Sequence, residues 1–507
     1  MWKSLSFLAW FTISTVLCAR PTIPRNIVQE HIKKHANFSV DPCDDFYAHV
    51  CPRGVENDFM QSLVEMRNTM VEEYKESHPK QNWNEFSFVK TGNLGYAVEM
   101  FILSDRLESL CSHNETLLTL FLQYVSGRSN DHPESFVETS NCKKKIETLK
   151  ALDGVRSTFE GARALLKSAS DASVANLQLR KIDKKLRSLF NKLKLAVSKQ
   201  LKKTPWVIKN KALNIYSEAL QNITFTTFYD FHNTAQNAIK AFDKTRKECW
   251  KSLKGKFVKE DVTALCEVIA VGEGVKEFKK PSEKIFNQDK QEIIGDTLQQ
   301  WNSDDQHVYI GNDFMILGNT EYLSDLYGSV GFSLAHEIMH ALVFDDVDKL
   351  EDAGNPLIPL WTKDAGCVEE QTRKTCKTFP TLISTDGSDT TCDSKITFEE
   401  DAADLAAYRV VWDVYQKAYI RKTVVPNYES LDNKQLFFYG AAVVFCQQNG
   451  MDLKEYHKET HSNNYQRVNS LMSQMDQFAD AFKCKPTDRM IKNKARHCEF
   501  YGSEAKE

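Results

Sequence analysis

The chain has 507 residues, with 65 Lys and Arg against 69 Asp and Glu, a formal charge of −4, and 42% hydrophobic and 11% aromatic residues. That composition is globular rather than disordered or fibrous, and the length suffices for two to four packing units. The charge balance excludes a chain-wide drive toward nucleic acid, and no apolar run long enough for a span follows the N-terminus, which excludes a multi-spanning membrane protein.

Residues 1–19 have the make-up of a secretory signal peptide. Lys3 supplies the positive start, Leu5 to Leu17 is mostly apolar, and the small residues around Ala19 offer a cleavage point. A retained signal anchor is the rival reading. The apolar stretch is short for a span, so cleavage is expected, with no stable membrane span afterwards. The cysteines agree with export: removing Cys18 leaves an even set, which in an oxidising compartment favours disulfides. Sequons at Asn37, Asn114 and Asn222 predict glycosylation in the same compartment.

Residues 20 to about 290 read as mostly helical, with long amphipathic stretches and few glycines. Between Lys181 and Lys203, Ile182, Leu186, Leu189, Phe190, Leu193, Val197 and Leu201 recur at three- and four-residue steps, and lysines fill the other faces. Thr204-Pro205 ends this helix. Its basic face suits a membrane surface or an acidic partner, but a solvated surface helix is the expected reading. Near residue 305 the texture changes. His307 to Ile310 and Phe314 to Leu317, split by Gly311-Asn312-Asp313, predict a hairpin or two short strands. A helix is predicted from about Gly328 to Val343, loop from about 345 to 396, and helices from Glu399 to about Arg421 and from Asn433 to about Gln447.

The chemistry concentrates in His336-Glu337-Ile338-Met339-His340. Residues four apart share one helix face, so His336 and His340 can ligate a single zinc ion while Glu337 acts on the attacking water. Coincidence is the rival reading, and the apolar setting of Ile338, Met339, Ala341 and Leu342 speaks against it. A catalytic zinc needs a third protein ligand. Glu400 and Asp404, again four apart, stand at the start of the next predicted helix. Glu400 can reach the metal and Asp404 can orient a ligating imidazole, although acidic residues at a helix N-terminus are also ordinary dipole partners.

These motifs, with Asp41-Pro42-Cys43-Asp44-Asp45-Phe46 near the start, His461 and Arg467 six apart, and Phe478 to Cys484 near the end, resemble the neprilysin and endothelin-converting-enzyme family of zinc metallopeptidases. The resemblance implies one catalytic Zn2+ on His336, His340 and Glu400, Glu337 as general base and proton shuttle, and Asp404 orienting an imidazole. It implies His461 as donor to the developing oxyanion and Arg467 as holder of a substrate carbonyl. It also implies disulfides Cys43–Cys484, Cys51–Cys446, Cys111–Cys266 and Cys367–Cys498, which leaves Cys376–Cys392 and Cys142–Cys249 as the remaining pairs.

The chain departs from the family in places. The Asn-Ala dipeptide that anchors substrate on an edge strand is absent, with Asn302-Ser303 and His307-Val308 as the nearest stand-ins. Ala406 and Ala407 replace glycines, and the N-terminal half is short. In the family that half forms a lid, so a trimmed lid and a more open cleft are expected. The resulting expectation is a mainly α fold: a helical N-terminal lobe at 20–295 and a thermolysin-like zinc peptidase lobe with a small edge β-sheet at 296–507. The partners expected are peptide or protein substrates and no nucleic acid. The rival function is a secreted binding protein that keeps the fold and has lost catalysis.

Overall fold

A computed structural model describes residues 25–52, 59–66, 180–255, 299–302, 306–342, 358–379, 397–421, 431–446 and 461–502, with a few positions between them, Cys266 included. The signal segment, Asn114, Cys111, Cys142, Cys392 and most of the predicted lid lie outside the described residues.

The fold is mainly α, as the periodicity predicts. In the N-terminal half, α1 (Ile27–His35), α2 (Phe46–Val50), α3 (180–201), α4 (Pro205–Lys209), α5 (Leu213–Asn222) and α6 (Phe228–Leu253) are helical. All seven apolar residues predicted to line one side of α3 are buried. That stripe is therefore occupied by the core, and only the lysine-bearing side of α3 faces solvent.

The short strands among the described residues are, in chain order, β1 (Thr224–Thr227), β2 (Phe286–Asn287), β3 (Glu292–Ile293), β4 (Gln299–Asn302) and β5 (His307–Ile310). β2 and β3 form a separate antiparallel pair. The main sheet runs β1-β5-β4, with β1 parallel and β4 antiparallel to β5. The predicted second strand at 314–317 is instead helical: α7 (Asn312–Ile316) passes into a 3-10 turn, Leu317–Asn319. Both edges of β5 are already hydrogen-bonded, so no edge remains for a strand returning past Gly311. The chain turns into a helix, with the Met315 N–H donating to the Gly311 carbonyl at 2.9 Å. The same topology places β4 at the sheet edge. His307-Val308 lies on the central strand, and Asn302 ends the edge strand, paired with His307.

Among the described residues the C-terminal half carries α8 (Leu323–Leu326), a π-turn at Tyr327–Gly331, α9 (Phe332–His340), α10 (Ile358–Thr378), α11 (Phe398–Arg421), α12 (Asn433–Val443), α13 (Asn464–Gln474), α14 (Asp476–Phe482) and α15 (Arg489–Lys492). A Cβ on Gly328 would sit 2.3 Å from the Phe437 carbonyl oxygen, so only glycine lets the π-turn press against α12. The second correction is α10, which occupies part of the stretch predicted as loop. Its buried side carries Gln371, Thr372 and Thr375 among Ala365, Cys367 and Val368. Hydrophobic periodicity misses a helix whose buried face is this polar.

Cys43–Cys484 and Cys51–Cys446 fasten the segment around α2 to the chain after α14 and after α12, and Cys367–Cys498 fastens α10 to the C-terminal segment. Cys266 bonds Cys249, not Cys111, which also removes Cys249 from the pair with Cys142. The observed partner is only 17 residues away, the shorter loop to close. Cys376 is disulfide-bonded to a residue outside the described ones.

Candidate metal centre

α9 and α11 pack against each other and bring the predicted residues together. His336 and His340 stand one turn apart on α9, with Nε2 atoms 3.0 Å apart. Glu400, in the first turn of α11, places Oε2 3.1 Å from His336 Nε2 and Oε1 3.5 Å from His340 Nε2. Two atoms each about 2.0–2.1 Å from one ion at a tetrahedral angle are about 3.3 Å apart. The three separations bracket that figure, and two imidazoles with one carboxylate are a zinc donor set, so these residues fit a single ion. Glu337 follows His336 on α9 and is 6% exposed.

The next layer fixes the ligands. Asp404, one turn after Glu400, lies 2.7 Å from His336 Nδ1. Arg467 on α13 donates to both oxygens of Asp404, from Nε at 2.7 Å and Nη2 at 2.8 Å, and its guanidinium stacks on Phe445. His461 is 45% exposed and places Nε2 3.2 Å from Glu400 Oε2.

The electrostatics follow from this packing. Burial works against charge on all of these groups, yet the partners dominate. The Asp404 and Glu400 carboxylates raise His336 to about 10. Arg467 and His336 lower Asp404 to about 2. Hydrogen bonds from His336 and His461 hold Glu400 well below the usual carboxylate range. These carboxylates favour a positive charge at His336, and a cation entering there displaces the imidazole's proton.

Sequence reasoning missed Asp401. Its Oδ2 accepts hydrogen bonds from Thr372 at 2.8 Å, Thr397 at 3.0 Å and Ser462 at 2.9 Å. One buried carboxylate thus ties α10, the start of α11 and the segment bearing His461. Burial raises it to about 6 despite those bonds. Its adjacency to Glu400 and the adjacency of Ser462 to His461 were the available signals, but neither names its partner. Phe445 beneath Arg467 had no sequence signal at all.

Two imidazoles from successive turns, a carboxylate from a second helix and a glutamate beside the first histidine make up the residue pattern characteristic of zinc metallopeptidases. Residues 308–498 match the model of peptidase family M13. Over that region, less than half of the chain, it is similar to the neprilysin and endothelin-converting-enzyme family of zinc metallopeptidases. Neprilysin-1 of Caenorhabditis elegans is 31% identical over 179 residues, covering 32% of this chain and 23% of the relative. Endothelin-converting enzyme 1 of Homo sapiens is 27% identical over 181 residues, covering 34% of this chain and 22% of the relative. The matched stretch thus spans less than a quarter of either relative. Among solved structures, a zinc metalloprotease of Mycobacterium tuberculosis, Zmp1, crystallised with an inhibitor, shares the fold with TM-score 0.50 and 13% identity, covering 91% of this chain and 98% of the other.

Proposed function

We propose that the chain is a secreted, disulfide-bonded and glycosylated zinc endopeptidase, with a helical lobe at 20–295 and a catalytic lobe at 296–507. The observation that carries this reading is the triad of donor atoms from His336, His340 and Glu400, separated by 3.0, 3.1 and 3.5 Å beside a buried Glu337. A zinc ion held there supplies Lewis-acid polarisation of the peptide carbonyl and a lowered pKa for water.

The chain's own residues do the rest. Glu337 accepts a proton from the attacking water and delivers it to the leaving amine. His461, half in solvent at the rim, donates to the oxygen on which charge develops. Asp404, clamped by Arg467, holds the His336 ring in one tautomer and orientation. With Nε and Nη2 of Arg467 committed to Asp404, Nη1 is the donor offered to a substrate carbonyl. By analogy with the family, cleavage falls on the amino side of an apolar residue.

A second reading is favoured by the edge strand. β4 reads Gln299-Gln300-Trp301-Asn302 and lacks the family's anchoring dipeptide, as a binding protein that has lost catalysis would. Incubating the purified full-length protein with a peptide library decides between the readings. The enzyme gives cleavage that a chelator stops, zinc restores and Glu337→Gln abolishes. Stoichiometric zinc without turnover across the library identifies the binder.

A further inference from the structure

Residues 184–217 hold ten Lys and Arg and no Asp or Glu, in a chain whose formal charge is −4. The peptidase reading makes no use of this stretch, and a role for it is independent of that reading. Burial settles which way it faces. On α3 the core takes Leu189, Leu193, Val197 and Leu201, while Lys192, Leu195, Lys199 and Lys202 lie exposed at steps of three and four along the opposite side. Those four positions run about 15 Å along the helix. Exposed Lys203, Lys209 and Lys211 continue the charge into α4 and the turn beyond it. None of these six lysines forms an ion pair with a described residue. Lys194, by contrast, is spent on structure: its Nζ donates to the Ile223 carbonyl at 2.9 Å and holds the end of α5 beside α3.

The same stretch collects exposed aliphatic side chains. Among the described residues four large hydrophobics are exposed. Three of them are Leu195 on α3, Ile208 on α4 and Ile215 on α5, at 56%, 54% and 55%. Exposed apolar groups are ordinary when scattered; these three stand on successive helices beside the exposed lysines, with exposed Glu218 one turn beyond Ile215.

We propose that the exposed face of α3–α5 is a peripheral docking surface for anionic phospholipid membranes. Unpaired lysines meet the negative surface, and their long stems let the ammonium groups remain in the headgroup layer while the aliphatic side chains enter the interface. A sulfated glycan would satisfy the lysines equally but gives Leu195, Ile208 and Ile215 nothing to enter, so the lipid surface is the partner favoured. No helix among the described residues is long and apolar enough to cross a membrane, and the attachment is accordingly superficial.

The test is co-sedimentation of the full-length protein with phosphatidylcholine vesicles, with and without about a third phosphatidylserine, at low and high salt. Asn222, exposed at the end of α5, heads a sequon, so the protein is assayed before and after glycosidase treatment to separate shielding by a glycan from lack of affinity. Partition that requires phosphatidylserine and falls at least about tenfold in high salt is expected. The triple change Lys192→Gln, Lys199→Gln, Lys202→Gln should remove it. Leu195→Ser, Ile208→Ser, Ile215→Ser should weaken vesicle binding several-fold while leaving retention on immobilised heparin unchanged. Circular dichroism on both triple variants confirms that the fold is kept. Sedimentation indifferent to phosphatidylserine, absence of partition after deglycosylation, heparin retention without vesicle binding, or a serine variant that binds vesicles like the parent would each overturn the proposal.

Discussion

α9 and α10 flank the same helix, α11, and their buried faces are built from opposite chemistry. α9 buries Leu334, Ala335, Ile338 and Met339, none with measurable exposure, and two of its polar residues, His336 and His340, face Glu400. α10 buries Gln371, Thr372 and Thr375, and it is held by hydrogen bonds to residues about a hundred positions away. Gln371 Nε2 donates to the Asn493 carbonyl at 2.9 Å, and its Oε1 accepts from Gln474 at 2.6 Å and from the Ala495 N–H at 2.8 Å. An apolar face is specified locally, since any apolar neighbour satisfies it. A polar face is specified only by its partners, which must come from distant sequence with good geometry. The helix carrying His336 and His340 thus rests on packing, while the supports around it rest on a connected polar layer.

Asp404→Ala strikes where that polar layer reaches the site, and the largest effect is expected there. The substitution leaves a buried Arg467 without its two bonds and His336 without its orienting carboxylate. Breaking a buried pair from one side costs about 3–5 kcal/mol. Removing an outer partner of a metal ligand lowers metal affinity by about 10- to 100-fold. Denaturant unfolding and zinc titration read the two effects separately. A stability loss without a change in zinc affinity would confine Asp404 to a structural role.

Leu334→Ala tests the apolar side of the comparison. Leu334 has no exposed surface, and truncation should cost about 2–5 kcal/mol with the wider loss where the site cannot collapse. Thr375→Val tests the polar side with almost no change in shape. Thr375 Oγ1 receives bonds from Asn493 at 2.9 Å, Ser470 at 2.8 Å and Gln371 at 3.0 Å. Valine strands those donors, and about 1–3 kcal/mol is expected. If Thr375→Val proves neutral, the polar layer is dispensable and the contrast between the two helices fails.

The site was far more legible than its supports. His336, Glu337 and His340 declare themselves because chemistry at one helix face requires a four-residue step. Glu400, Asp404, His461 and Arg467 were legible as a set only through family resemblance, since each alone is an ordinary surface residue type. α3 was legible because its seven buried positions keep helical period. α10 was not, because amides and hydroxyls on its buried face carry no hydrophobic period, and α7 reads as a strand because short apolar runs suit either state. The partner of Cys266 was not legible because connectivity depends on which cysteines the fold brings together, and spacing alone does not state that.

A pH-dependent effect is expected at Asp325 on α8, a buried carboxylic acid in the approach to α9. It is 1% exposed, and Thr320 donates to its Oδ2 at 3.3 Å. Burial raises its pKa to about 7, with Thr320, Gln29 and Lys185 only partly offsetting the shift. In the unfolded chain the same carboxyl ionises near 3.8. Between those values the native state keeps a proton that the unfolded state has released. Stability therefore falls as pH rises from about 4 to about 7, by at most about 1.4 kcal/mol per pH unit for one proton, and the loss levels off above that window. Other buried carboxylates add their own slopes, so the informative quantity is a difference. Urea unfolding of the parent and of Asp325→Asn at a series of pH values should show the variant gaining on the parent across that interval and not below it. Parallel stability curves would mean that Asp325 is ionised in the native state, and that the approach to α9 tolerates a buried charge as α10 tolerates its buried amides and hydroxyls.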